Sequence, residues 1–242
     1  MIYYETASTD PRVNLAAEDY LLHQAGAEDV LFLWQNAPSV ILGRNQCAAQ
    51  EVDLDLARQW GIPVVRRDTG GGAVYHDLGN LNFTFLTADS PALDSPYASF
   101  LMPLIDVLAS FGVTAEFNGR NDLCVQGRKI SGSAARVHAG RLLHHGTLLV
   151  ASDLAPMARL LTPPQEKLQR NGVASVQSRV ANLQDFAPGL TVAALKEKIA
   201  AAFACGAPRA FDDAAQAAIA ALAQEKYANP AWNFESVSKK YF

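Results

Sequence analysis

Short apolar segments that end in turns fill the first half of this 242-residue chain. Residues 2–5, 30–35 and 39–43 are rich in β-branched and aromatic side chains, which is typical of strands. Residues 62–66 and 81–86 are two further segments of this kind. Between those two, Gly70, Gly71 and Gly72 interrupt any continuous strand or helix. The pattern predicts a sheet of short strands joined by tight turns.

Two hairpins are predicted further along the chain. Strands over residues 123–125 and 129–134 flank a Gln126-Gly127 turn. Ala139-Gly140 forms the turn of a second hairpin, which ends in a strand over residues 146–151.

Helical patterns surround these strands. Asn14 is the predicted N-cap of a helix that continues to about residue 24, and residues 54–60 and 100–111 are predicted as a short and a buried helix. Alanine-rich helical candidates follow at residues 154–161, 192–203 and 213–227. No long polar linker divides the chain, so we predict one domain over residues 1–242. Its class is α/β (α+β), a mixed β-sheet with surrounding helices.

Composition narrows the functional class. Half of the residues are apolar and 18% are charged, which is enough apolar material for a core. The net charge of −4 disfavours general nucleic-acid binding. A basic leader and a long apolar run are both missing, so neither a signal peptide nor a membrane span is expected. Cys47, Cys124 and Cys205 are far apart, which favours a reducing, cytoplasmic setting.

The glycine segment, residues 70–72, is a candidate anion site. Glycines let backbone N–H groups approach a ligand closely, and such amides can form an anion-binding nest. Arg66 and Arg67, directly before the segment, add positive charge and fork-shaped donors. The spacing matches neither a Walker loop nor a dinucleotide-binding fingerprint. A loop beside a solvated arginine pair is the other interpretation of the same residues.

Lys129 is the second candidate. It lies on a predicted strand among small residues, Gly132, Ser133 and Gly146, so its ammonium group could reach a ligand. A cation in that position can stabilise charge that develops on oxygen. The alternative is a lysine on an edge strand, where it protects against aggregation.

Metal ligation is less favoured. His144 and His145 are adjacent on a predicted strand and should point to opposite faces, which disfavours a zinc site. Mg²⁺ held by substrate phosphates and one carboxylate, such as Asp122 or Asp77, fits these residues better.

Several blocks in order resemble the lipoate–protein ligase A family. They include Arg-Arg-x-x-Gly-Gly-Gly-Ala-Val-x-His-Asp-Leu-Gly-Asn at 66–80, Gly-Arg-Asn-Asp-Leu at 119–123 and Arg-Lys-Ile-Ser-Gly-Ser-Ala at 128–134. His-His-Gly-Thr-Leu-Leu at 144–149, Val-Gln-Ser-Arg-Val at 176–180 and Trp-Asn-Phe at 232–234 continue the resemblance. It implies a catalytic fold shared with biotin ligases.

The resemblance also implies a two-step reaction. Lipoate and MgATP form lipoyl-adenylate and pyrophosphate, and the lipoyl group then passes to a lysine amine of a carrier domain. The implied carriers are the lipoyl domains of 2-oxoacid dehydrogenase E2 subunits and the glycine-cleavage H protein. ATP and Mg²⁺ enter with the substrates, and neither a permanently bound cofactor, nor nucleic acid, nor a membrane is implied.

Family roles fall on particular residues of this chain. Lys129 is the implied catalytic residue, in contact with both the lipoyl carbonyl and the phosphate. The implied ATP or adenylate site adds Arg67, Gly72, Ala73, Val74 and Tyr75. The implied lipoate site adds Gly71, His76, His145 and Trp34, with Leu42 and Val74 as further candidates for an apolar slot. Asp122 is an implied Mg²⁺ ligand.

Three alternatives remain open. An octanoyltransferase would need a cysteine nucleophile, and neither residues 114–121 nor residues 170–172 supply one. A biotin ligase would need a glycine- and arginine-rich motif that is missing here. A binding subunit without activity would not need Arg67 and Lys129 intact.

The C-terminal sequence carries one more expectation. Many family members continue into an accessory domain, whereas this chain reads Glu-Ser-Val-Ser at 235–238 and stops at Phe242. We therefore expect a catalytic domain without the accessory domain, and a separate accessory subunit is one way in which its role could be filled.

Overall fold

Two β-sheets form the framework of the part of the chain that the structure describes. The computed structural model describes residues 1–24, 28–89, 96–118, 121–162 and 180–235. Ten strands are described: β1 (Ile2–Glu5), β2 (Val30–Trp34), β3 (Ser39–Leu42), β4 (Val64–Arg66), β5 (Val74–His76), β6 (Asn80–Ala88), β7 (Glu116–Phe117), β8 (Asp122–Val125), β9 (Arg128–His138) and β10 (Arg141–Leu149).

The larger sheet has seven strands in the order β1-β2-β6-β10-β9-β8-β7. Only β1 and β2 pair in parallel, and the other neighbours are antiparallel. The smaller sheet has the order β4-β3-β5, with β4 parallel and β5 antiparallel to β3. The predicted class, mixed sheets with surrounding helices, is confirmed.

Helices cover both sheets. They are α1 (Pro11–Gln24), α2 (Ala48–Glu51), α3 (Leu54–Gln59), α4 (Pro96–Ala109), α5 (Leu154–Leu160), α6 (Val192–Ala202), α7 (Asp213–Leu222) and α8 (Pro230–Phe234). A π-helical turn, Ala223–Tyr227, follows α7 directly. None of the described helices is both long enough and apolar enough to span a membrane.

Among the described residues, three hydrophobic clusters hold the layers together. The inner cluster packs Phe32 and Trp34 of the larger sheet against Ile41 and Val65 of the smaller one, so the two sheets face each other. A second cluster lies between the opposite face of the larger sheet and helices α4 and α6. A third, the outer cluster, lies between the smaller sheet and helices α2, α3 and α5.

Both predicted hairpins are confirmed. Gln126 and Gly127 have φ values of 50° and 74°, and Ala139 and Gly140 have 47° and 74°. Two consecutive positive φ values are the conformation of a type I′ turn, whose twist matches that of the strands it joins.

The predicted N-cap at Asn14 is wrong, because α1 already begins at Pro11. Proline suits the first turn of a helix, where its missing N–H would be unpaired anyway. Asn14 is instead fully buried, and its amide donates to the carbonyls of Ser8 and Gln35 and to the side chain of Asn36. It therefore anchors the helix to the loop after β2.

Candidate functional site

The glycine segment lies between β4 and β5 of the smaller sheet. Gly71 has a φ of 94°, which favours glycine, and a Cβ added at Gly43 would lie 2.1 Å from the Gly71 carbonyl oxygen. Within the described part of the chain, no hydrogen bond uses the amides of residues 70–72. Those amides are therefore available to an anion, as the sequence predicts.

Arg67 lies beneath the segment and is buried. Its Nη2 donates to the carbonyls of Gly70 and Gly72, at 2.5 and 2.9 Å, and its Nη1 donates to the Ile41 carbonyl. Burial lowers the pKa of the guanidinium to about 10, so the group stays charged at neutral pH. Here Arg67 shapes the segment from within, and a direct phosphate contact stays a prediction.

Arg66 does not offer its fork-shaped donors to the segment, so that part of the prediction is wrong. Its guanidinium is fully buried and donates to the backbone carbonyls of Gly43, Arg44, Gln46, Trp232 and Asn233. Consecutive strand residues point to opposite faces, so Arg66 and Arg67 serve different parts of the molecule.

Lys129 lies on β9, where its backbone pairs with Cys124 of β8 on one side and forms a bridge with Val180 on the other. This position excludes the edge-strand alternative. The Lys129 Nζ is 2.8 Å from the Asp122 Oδ1, and 38% of the lysine side chain is exposed. A Cβ added at Gly132 would lie 2.6 Å from that Nζ, so glycine leaves the space in which the lysine side chain folds over the strand.

A β-bulge turns Lys129 toward Gly132. Asp122 pairs with Gly132 and Leu123 with Ser131, but Cys124 pairs with Lys129, so Ile130 is an extra residue. The bulge places Lys129 on the same face of the strand as Gly132, although the two residues are three positions apart. The predicted proximity to Gly132 is confirmed. A Cβ added at Gly146 would meet the Phe83 ring and the Gly132 carbonyl oxygen, so the predicted proximity of Lys129 to Gly146 stays a prediction.

The glycine segment packs against the same strand. A Cβ added at Gly71 would lie 4.0 Å from the Ala134 Cβ, and Ala134 pairs with His145 of β10. Ala134 and Gly132 are two residues apart and share a face of β9. Lys129 and the glycine segment therefore lie along one face of one strand.

Trp34, His76 and His145 are buried in the layer between the two sheets. The rings of Trp34 and His76 are 6.1 Å apart, and His76 Nδ1 accepts from the Asn36 amide at 3.0 Å. Burial lowers the pKa of His76 to about 3, so its imidazole is neutral. Val74 packs against this same inner cluster.

Two predicted site residues lie elsewhere. Leu42 belongs to the outer cluster, so it does not share a slot with Trp34 and Val74, and that prediction is wrong. Tyr75 also packs into the outer cluster, because it alternates with Val74 and His76 along β5. Desolvation raises the pKa of Tyr75 to about 12. Only the backbone of Tyr75 faces the layer between the two sheets.

The predicted separation of the two adjacent histidines is confirmed. His144 packs against Phe100, with ring centroids 5.5 Å apart, and His145 bonds to Glu18 on the other face. In the described part of the chain, no group of three or more His, Cys, Asp or Glu side chains could hold a metal ion. Asp122, the predicted Mg²⁺ ligand, is occupied by Lys129 here.

Two groups of candidate site residues were not identified from the sequence. Asp68 is nearly buried and forms ion pairs with Arg44, Arg136 and Lys226, which line a cavity of about 690 Å³. Glu18 is buried on α1 and bonds to His145. An acidic residue among the apolar residues of a helix is the one signal that could have identified Glu18.

Some motif residues fall outside the described part of the chain. They are residues 119–120 and 176–179 of the family blocks and the tripeptide at 170–172.

Comparison with known proteins gives a consistent result. Residues 10–204 match the family of the lipoyl protein ligase A/B catalytic domain. The chain is 44% identical over 178 residues to lipoate-protein ligase LplJ of Bacillus subtilis (strain 168), which covers 73% of this chain and 54% of that protein. The chain spans about half the length of the curated relatives that it matches.

Solved structures agree with this match. The bi-partite lipoate protein ligase of Thermoplasma acidophilum, described with its E2 lipoyl domain, has a TM-score of 0.86 at 28% identity. That match covers 100% of this chain and 98% of the other. A lipoate-protein ligase A bound with ATP has a TM-score of 0.81 at 27% identity, covering 96% of this chain and 97% of the other.

Proposed function

The chain belongs to the lipoyl protein ligase A/B catalytic domain family, and from this premise we propose that it is an ATP-dependent lipoate–protein ligase. In the first step the lipoate carboxylate attacks the α-phosphorus of ATP, which gives lipoyl-AMP and releases pyrophosphate. In the second step a lysine amine of a carrier attacks the lipoyl carbonyl and AMP leaves. The relatives named for lipoate, and the one bound with ATP, support these substrates.

One observation carries the proposal: Lys129 projects from an interior strand on the face where the glycine segment packs. Carboxylate attack on a phosphate brings two anions together. A cation 4 Å from each contributes on the order of 4 kcal/mol per contact at an effective dielectric constant near 20. The same cation can polarise the mixed anhydride for the amine.

The glycine segment is the proposed phosphate site. Its amides supply donors without a side chain, and Arg67 keeps the carbonyls of Gly70 and Gly72 turned inward. In this proposal Gly72, Ala73, Val74 and Tyr75 contribute backbone contacts to the adenylate, and Gly71 contributes one to the lipoyl end.

We assign the acyl tail to the layer that contains Trp34, His76 and His145. These side chains are buried between the two sheets, and Val74 adds apolar surface beside them. A neutral His76 suits a slot for an uncharged tail.

Mg²⁺ is proposed to enter as MgATP. Mg²⁺ binds largely through phosphate oxygens and water with one or two carboxylates, so a single protein carboxylate suffices. Asp122 fits this requirement once the ammonium group of Lys129 turns toward substrate.

The proposed carriers are lipoyl domains of 2-oxoacid dehydrogenase E2 subunits and the glycine-cleavage H protein. The structural relative described with an E2 lipoyl domain supports this class. Because that relative is bi-partite, a separate accessory subunit is part of the proposal. The free cysteines suit the cytoplasm as the site of action.

Transfer to an apo lipoyl domain tests the proposal. Three mixtures, each containing the accessory polypeptide of a bi-partite ligase, are compared by intact mass: lipoate with MgATP, synthetic lipoyl-AMP, and octanoyl-carrier protein without ATP. We expect one lipoyl group per domain in the first two mixtures and no transfer in the third. Transfer from the octanoyl carrier alone would indicate an octanoyltransferase, and no transfer from lipoyl-AMP would contradict ligase activity.

A further inference from the structure

A buried carboxylate on α1 begins a chain of hydrogen bonds that ends in the glycine segment. The two Glu18 oxygens lie 2.8 and 3.0 Å from His145 Nδ1. His145 Nε2 lies 2.7 Å from the hydroxyl of Thr69, which accepts from Arg67 Nε at 3.0 Å. Arg67 in turn donates to the carbonyls of Gly70 and Gly72. We call these four side chains, Glu18, His145, Thr69 and Arg67, the relay.

The other side of Glu18 is also satisfied. Thr84 of β6 donates its hydroxyl to Glu18 Oε1 at 2.6 Å, and Trp34 Nε1 donates to the Thr84 oxygen at 3.1 Å. Glu18, Thr84, His145, Thr69 and Arg67 are all less than a tenth exposed. A buried network with every group paired fixes its members rigidly.

A neutral imidazole with one proton satisfies every contact in this arrangement. An ionised carboxylate only accepts, so His145 carries its proton on Nδ1 and donates to Glu18. His145 Nε2 then accepts the hydroxyl proton of Thr69. Thr69 keeps a lone pair for Arg67 Nε, so every proton has one acceptor and the tautomer is determined by Glu18.

Charge adds a second link between Glu18 and Arg67. Within the described residues, no carboxylate contacts the Arg67 guanidinium, whose partners are carbonyls and one hydroxyl. Burial lowers the pKa of Arg67, and the Glu18 charge opposes that shift. Glu18 is thus the buried counter-charge of Arg67, although two residues lie between them.

We infer that Glu18 is a positioning residue for nucleotide binding. Acting through His145 and Thr69, it holds the Arg67 guanidinium in the one orientation that turns the carbonyls of the glycine segment inward and leaves its amides free. This inference rests on the proposed function for its link to ATP. The conformational part, from Glu18 to Arg67, stands without that link.

Glu18→Gln removes the charge with little change in volume. Thr69→Val cuts the relay at its middle with an isosteric side chain, and Thr69→Ser restores the hydroxyl. Glu197→Gln, an exposed change of the same chemistry on α6, is the matched control. If Glu18→Gln does not fold, the comparison of Thr69→Val with Thr69→Ser is sufficient to test the inference.

The first readout is nitrogen-15 NMR of the Arg67 Nε–H and of the His145 ring. We expect a slowly exchanging Arg67 Nε–H in wild type, Thr69→Ser and Glu197→Gln. In Glu18→Gln and Thr69→Val the Arg67 Nε proton should exchange faster by roughly tenfold or more. Glu18→Gln weakens the contact with His145 by removing the carboxylate charge, and Thr69→Val removes the hydroxyl that accepts from Arg67.

The second readout is lipoate-dependent ATP–pyrophosphate exchange. Glu18→Gln and Thr69→Val should raise the KM for ATP by about tenfold and change kcat less, since the loss is in binding geometry. Wild-type NMR signals and wild-type KM in both variants would overturn the inference. If the two variants alter the NMR signals but the wild-type protein catalyses no ATP–pyrophosphate exchange, the relay is upheld and the proposed function is contradicted.

Discussion

Lys129 reaches its position because its neighbour Gly132 has no side chain. The strand pairing contains one extra residue, Ile130, which turns the lysine to the Gly132 face. The sequence allowed Lys129 to be placed beside Gly132, since small residues around a lysine leave room for it. It could not reveal the bulge, because residues 129–134 fit ordinary strand alternation equally well.

Replacing Gly132 with alanine should therefore separate folding from activity. The added Cβ would lie 2.6 Å from Lys129 Nζ and 2.8 Å from its Cε, and the flexible end of the lysine can move away. We expect a small change in stability, about 1 kcal/mol or less, because strands tolerate alanine as well as glycine. Adenylation should fall by roughly tenfold to a hundredfold, because the cation no longer meets the reacting oxygens.

The measurement for Gly132→Ala pairs urea unfolding with steady-state adenylation. Gly206→Ala is the control, since a Cβ there meets nothing within 4 Å. A wild-type rate of adenylation in Gly132→Ala would show that adenylation does not depend on the orientation of Lys129.

Buried histidines predict how stability changes with pH. Burial lowers the pKa of both His76 and His144 to about 3. The unfolded chain binds these protons near pH 6.5, so between pH 6.5 and 3 it holds more protons than the folded chain. The free energy of unfolding should therefore fall as pH falls, by about 1.4 kcal/mol per pH unit for each histidine.

His144→Phe isolates one of these two contributions. Phenylalanine preserves the packing against Phe85 and Phe100 and removes the titrating group. Urea unfolding is measured at pH 7.5, 6, 5 and 4. Below pH 6.5, the free energy of unfolding of His144→Phe should fall with pH less steeply than that of wild type, by about 1.4 kcal/mol per pH unit. Parallel slopes for the two proteins would show that His144 does not titrate in this window.

Helices and strands differ in how well local sequence identifies them. The two hairpins were predicted because Gln126-Gly127 and Ala139-Gly140 carry turn chemistry in two adjacent residues. The π-helical turn falls within the helix predicted over residues 213–227, whereas helix α8 was missed, because its stabilising contacts come from distant residues. Asn233, for example, accepts from the backbone N–H of Arg66 across 167 positions. A contact between residues so far apart in sequence cannot be predicted from the residues around either one.

Arg66 should accordingly be more important for stability than its motif indicates. Its guanidinium donates to carbonyls of the loop after β3 and of α8, so it joins the smaller sheet to the C-terminal helices. Arg66→Lys keeps the charge but loses the fork of donors and leaves buried carbonyls unpaired. We expect a loss of about 3 kcal/mol in the free energy of unfolding.

Differential scanning calorimetry and urea unfolding test the Arg66 prediction. Arg58→Lys is the matched control, because Arg58 forms an exposed ion pair with Asp55 on α3 and should change stability by less than about 0.5 kcal/mol. Equal stability of Arg66→Lys and Arg58→Lys would show that the hydrogen bonds of Arg66 to the loop after β3 and to α8 do not stabilise the fold.

Two sheets that face each other across a buried layer bring the candidate site together. Trp34 and His145 come from the larger sheet, and His76 and the glycine segment come from the smaller one. The resemblance to family motifs indicated these residues, because the motif blocks can be recognised from their residue types and their order along the chain. Their layering was not predictable, since Leu42, Val74 and Tyr75 look equally apolar along the chain yet face different clusters.

Lipoate-dependent exchange of labelled pyrophosphate into ATP is the decisive assay for this molecule. It is measured for wild type and Lys129→Ala, with and without the accessory polypeptide of a bi-partite ligase. We predict exchange that requires both lipoate and Mg²⁺, and a loss of at least about a hundredfold in the folded Lys129→Ala variant. No lipoate-dependent exchange by wild type under either condition, or undiminished exchange by Lys129→Ala, would contradict the account.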